Sequence, residues 1–71
     1  MELTIDQALQ KGVALHRMGN LQEAKSVYQA ILQRHPKHPE ASHNLGVIAI
    51  SLNQVEAALQ LFKTALDANP N

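Results

Sequence analysis

Histidine is the residue type here best suited to chemistry, and it occurs four times, at His16, His35, His38 and His43. Imidazole is the commonest metal ligand and the side chain whose charge changes nearest neutrality. His35 and His38 share the segment HPKHP, in which the prolines hold the backbone extended and Glu40 is the nearest carboxylate. That donor set is too sparse for a metal site, so the segment reads as a solvated loop. No serine, aspartate and histidine spacing suits a nucleophilic triad, and no glycine-rich loop is present to cradle phosphate. Without cysteine there is neither a thiolate ligand nor a disulfide framework. The expectation is a chain with no catalytic residue, no metal and no cofactor, which acts by binding.

Charge narrows the choice of partner. Lys11, Arg17, Lys25, Arg34, Lys37 and Lys63 are dispersed among six acidic residues, for a formal net charge of zero. No basic field would draw in nucleic acid or anionic lipid. The longest nearly apolar stretch, Leu45 to Leu52, is too short to cross a bilayer. The start MELTIDQ has neither the basic region nor the apolar core of a signal peptide. A peptide or protein partner and a cytoplasmic address are expected, with no nucleic acid and no membrane.

The elements that must position these residues come from an internal repeat. Moving the chain along itself by 34 places puts Gly12 on Gly46, Val13 on Val47, Ala24 on Ala58, Leu32 on Leu66 and Pro36 on Pro70. The same shift pairs Tyr28 with Phe62, Leu21 with Val55, and Asp6 with Glu40. Within each unit the apolar residues recur every three or four places, the period of a helix with one buried face. Ile5, Ala8, Leu9, Gly12 and Leu15 mark a first helix, and Leu21, Ala24, Val27, Tyr28, Ile31 and Leu32 a second. Ala41, Leu45, Ile48, Ala49 and Leu52 mark a third, and Val55, Ala58, Leu59, Phe62, Ala65 and Leu66 a fourth. Nothing reads as a strand.

Helix-end signals agree. Thr4 with Gln7, and Asn20 with Glu23, have the form of capping boxes. Gly19 suits a left-handed helix end, and Asn53 is its counterpart one repeat later. Pro36 and Pro70 end the second and fourth helices, while Pro39 suits the first turn of the third. The fold expected is all-α, two stacked antiparallel helix-turn-helix hairpins forming one domain over residues 1–71, the first unit at about 5–38 and the second at about 39–71.

A 34-residue helical hairpin with Gly12 or Gly46 in its first helix, Ala24 with Tyr28 or Ala58 with Phe62 in its second, and a closing Pro36 or Pro70 resembles the tetratricopeptide repeat. Asn44-Leu45-Gly46, Ala65 and Asn69-Pro70 make the second unit the closer match, whereas Lys11 departs from the pattern's leucine and Ile31 from its small alanine. The resemblance implies a right-handed αα superhelix whose first helices line an inner, concave face and whose second helices face outward. Glycines 12 and 46 then let helices approach closely, Ala24 and Ala58 fit the crossings, and Tyr28 and Phe62 fill the gaps between hairpins. The inner face would carry Asp6, Leu9, Gln10, Val13, His16 and Arg17 from the first hairpin, with His43, Asn44, Val47, Ile50 and Ser51 from the second. Of these, Gln10, Val13, Arg17, His43, Asn44, Val47 and Ile50 form the candidate peptide-binding set.

Asn44 resembles one rung of the asparagine ladder in the repeat arrays of bacterial O-linked N-acetylglucosamine transferase-like proteins. An amide offers donor and acceptor together, so it can hold a peptide backbone. Bonding to a neighbouring turn is the alternative. The lysine, arginine and asparagine of the family's carboxylate clamp are missing, because Leu9, Val13, Asp6 and Glu40 hold those places. His16 and His43 would face each other across the groove and make binding depend on pH near the imidazole value of about 6.5. Two repeats leave Leu52, Leu59, Phe62 and Leu66 partly bare. The chain is therefore expected to be an amino-terminal fragment of a longer protein that also pairs as a homodimer, and the alternative to peptide binding is a purely architectural role, in self-assembly or in stacking on a following enzyme domain, with no separate ligand.

Overall fold

The computed structural model describes residues 3–68, and among them there are four helices and no strand. Helix α1 spans Ile5–Arg17, α2 Leu21–Arg34, α3 Pro39–Ser51 and α4 Val55–Ala68. α1 packs on α2 and α3 on α4, and the two hairpins join through α3, which packs against both α2 and α1. Pro70, expected to end α4, lies outside the described residues.

Local chemistry accounts for most helix ends. The Thr4 hydroxyl accepts from the Gln7 amide at 3.1 Å while the Gln7 side chain accepts from the Thr4 amide at 2.9 Å. Gly19 (φ +83°) and Asn53 (φ +64°) both adopt the left-handed conformation after α1 and α3. At each the chain closes the same pair of bonds. Gly19 donates to the His16 carbonyl and Asn20 to that of Leu15, and one repeat later Asn53 donates to Ile50 and Gln54 to Ala49. This motif explains why the second capping box does not form. Its reciprocal bond needs the Asn20 amide hydrogen, which is already committed to Leu15, and the Asn20 side chain makes no cap bond either. At the other junction, His35 leaves helical geometry ahead of Pro36. Pro39 takes the first position of α3.

The core lies where α3 meets the first hairpin. Leu9, Ala24, Tyr28 and Ile31 are buried together with Ala41, Leu45 and Ile48. Ala58 is fully buried on α4, as Ala24 is on α2, which fits their place at helix crossings. The aromatic rings do more within a hairpin than expected. Each fills the hollow beside its own hairpin's glycine, so a Cβ on Gly12 would stand 2.7 Å from Tyr28 Cζ and one on Gly46 2.7 Å from Phe62 Cε1. Tyr28 is also enclosed from the second hairpin, whereas Phe62 is half-buried and borders an open groove among the described residues.

The apolar stripe of α4 divides. Leu61, absent from the expected stripe, packs against the core, while Val55, Leu59 and Leu66 stand exposed. Among the described residues α4 packs against α3 alone, so one edge of it is buried.

Ser42 is fully buried and its hydroxyl has no hydrogen-bond partner among the described residues. Leaving such a group unpaired costs about 1–3 kcal/mol, and alanine is the better helix former. Ser42→Ala is expected to stabilise the fold by about 1 kcal/mol, read as a higher urea midpoint; a lower midpoint would contradict the unpaired hydroxyl.

Candidate functional site

Of the six α1 residues expected on the inner face, Leu9, Gln10, Val13 and Arg17 border one groove, and Asp6 and His16 do not. Gln10, Val13 and Arg17 line one open groove with Leu9, Ala14, Met18 and the start of α3 at Glu40, with a volume of about 520 Å³. Helical spacing produces this grouping, since positions 10, 13 and 17 share one face of α1. Leu9 is buried at the groove's floor and Arg17 is exposed at its end. Glu40 joins them because α3 begins beside α1. Glu40 is not among the candidate binding residues, and no short-range sequence signal places it beside α1.

The α3 members are distributed differently. Val47 is half-buried and Ile50 is 54% exposed, which leaves an apolar surface near the end of α3. The Ser51 hydroxyl donates back to the Val47 carbonyl at 3.3 Å, within its own helix. His43 turns toward α4, its ring centroid 5.5 Å from that of Phe62 and tilted by 54°. It lines a second groove with Pro39, Glu40, Phe62, Ala65 and Leu66. His16 borders neither groove. His43, by contrast, lies against Phe62 on the α4 side of α3.

Asn44 is half-buried, and its side-chain amide donates to the Tyr28 hydroxyl at 3.4 Å. One of its two amide hydrogens is thus committed to the neighbouring hairpin, close to the alternative reading of a structural bond. The carbonyl oxygen and the other hydrogen have no protein partner among the described residues. The same contact governs Tyr28, whose phenol is pushed above its ordinary value of 10.0. Burial raises it, outweighing the hydrogen bond from Asn44, which lowers it.

His38 was expected in a solvated loop and instead caps α3. Its Nδ1 accepts from the Ala41 amide at 3.2 Å, taking the place usually held by serine or aspartate. That bond requires an unprotonated Nδ1, so the nitrogen is unavailable to a metal. No group of three or more metal-ligating side chains occurs among the described residues. No described helix is long and apolar enough to cross a membrane.

A family model described as the tetratricopeptide repeat matches residues 15–71. No curated protein and no solved structure matches the chain.

Proposed function

The chain belongs to the tetratricopeptide repeat family, and from that premise we propose that it holds a peptide or a partner protein against the face lined by α1 and the inner side of α3. Repeats of this family mediate protein–protein interaction, and stacked hairpins present extended concave surfaces for that purpose. The observation that carries the reading is the groove in which Gln10, Val13 and Arg17 converge over Leu9. Arg17 and Glu40 put opposite charges on the rim of an apolar floor, a combination that fits an extended segment with mixed side chains. Asn44 supplies the one inward amide on α3, and its carbonyl oxygen is the group available to a backbone N–H. The narrower likeness to the transferase arrays rests on Asn44 and its neighbours alone. The reading assigns no catalytic step and no cofactor.

A displayed library of random peptides, selected against the chain, tests this. Binders should lose affinity by roughly tenfold or more, ~1.4 kcal/mol, on Val13→Asp or on the pair Asn44→Ala and Val47→Ala, with helicity by circular dichroism retained. Binders indifferent to both variants would exclude the groove.

A second reading, self-association as a homodimer, draws support from a specific observation. Leu59 and Leu66 are 62% and 64% exposed and lie seven places apart on one helix, and large apolar side chains exposed along one helix are the raw material of interaction surfaces.

A further inference from the structure

The groove beside His43 has an internal precedent. Its lining residues Pro39, Glu40, His43, Phe62, Ala65 and Leu66 stand 34 places after Ile5, Asp6, Leu9, Tyr28, Ile31 and Leu32. In the first hairpin the equivalent surface is filled by α3. Leu9, Tyr28 and Ile31 share a buried cluster with Ala41, Leu45 and Ile48, and Ile5 and Leu32 pack against it. The second groove, of about 450 Å³, is therefore the image of an interface the molecule already makes, left open among the described residues.

What fills the first groove defines what fits the second. α3 enters with Ala41, Leu45, Ile48 and Leu52, a ridge spaced i, i+4, i+7 and i+11. The corresponding ridge of α1 is Gln7, Lys11, Ala14 and Met18. Docking α1 of a second copy would place Lys11 where Leu45 is buried, and an unpaired ammonium is costly there. α4 carries the same spacing in Val55, Leu59, Phe62 and Leu66, all apolar, with Val55, Leu59 and Leu66 more than half exposed.

We propose that two copies of the chain pair through α4 about a two-fold axis, each setting its Val55, Leu59, Phe62 and Leu66 ridge into the α3–α4 groove of the other. The proposal rests on the self-association reading and specifies its surface. Phe62 and Leu66 belong to both ridge and groove, so one patch meets itself, as an isologous contact requires. Such a contact closes at two copies. The head-to-tail alternative leaves a free groove at every step and grows without limit, and Lys11 opposes it.

Sedimentation equilibrium of the 71-residue chain over a range of concentrations provides the test. The mass should level off at twice 7.8 kDa. Leu59→Lys should raise the dissociation constant roughly tenfold or more while leaving helicity unchanged, because the side chain it alters is already exposed in the monomer. A monomer at every concentration would remove the self-association reading itself. A dimer indifferent to Leu59→Lys would keep that reading and overturn the α4 surface, and a mass growing steadily past the dimer would establish head-to-tail stacking instead.

Discussion

Tyr28→Ala is expected to remove most of the stability of the chain, about 3–5 kcal/mol, the usual cost of deleting a buried aromatic ring. Its ring is fully buried, fills the hollow beside Gly12 and reaches the second hairpin through its hydroxyl. Three helices lose a shared contact at once. At roughly 0.05–0.15 kcal/mol per residue, a domain of this length has only about 4–10 kcal/mol in total. The variant should therefore be partly unfolded at room temperature, seen as lost helical circular dichroism and a collapsed urea transition. Phe62→Ala should cost markedly less, because its ring is half-buried and borders the open groove. Equal losses at the two sites would show that Tyr28 is not the hub of the core.

The hydroxyl of the same residue sets a pH dependence. Because burial holds the folded-state phenol above its ordinary 10.0, folding favours the protonated form. That contribution is complete below pH 10 and disappears as pH rises through the folded value. The comparison that isolates Tyr28 is with Tyr28→Phe. Wild type should lose urea resistance more steeply than the phenylalanine variant above about pH 10. Parallel profiles would contradict the burial of the hydroxyl.

Gly12→Ala is expected to destabilise by about 1–3 kcal/mol, although glycine to alanine inside a helix ordinarily gains up to about 1 kcal/mol. The added methyl would stand 2.7 Å from Tyr28 Cζ, 2.8 Å from Cε1 and 3.1 Å from the hydroxyl oxygen. The ring cannot retreat, since it is enclosed on every side and tied to Asn44. Gly46→Ala makes an equally close approach to Phe62, at 2.7 Å, but that ring has the empty α3–α4 groove beside it. Its displacement should hold the loss below that at Gly12. Thermal melts of the two variants check this asymmetry, and a stabilised Gly12→Ala would sink the close approach of α1 and α2. If the pairing through α4 forms, the difference should shrink with protein concentration, because the second copy closes the space into which Phe62 would move.

What could be read without coordinates was the part governed by short-range chemistry. The 34-residue offset is visible by sliding the chain along itself, and the period of the apolar residues, the Thr4 box and the left-handed turns at Gly19 and Asn53 each depend on residues within a turn or two of one another. So does the grouping of Gln10, Val13 and Arg17, which share a helix face whatever packs nearby. The remaining features were decided by neighbours distant in sequence. The Asn20 cap failed because the preceding helix had taken its amide hydrogen. His43 turned to Phe62, nineteen places along the chain, and Asn44 turned to Tyr28, sixteen places back. Ser42 stands where the first repeat has Ala8, yet α3 is covered from both sides and α1 from one, so equivalent positions meet different surroundings. Periodicity states which side of a helix is apolar. Only the packing of the four helices, in which α4 is bordered by α3 alone among the described residues, determined which apolar side is core and which is exposed.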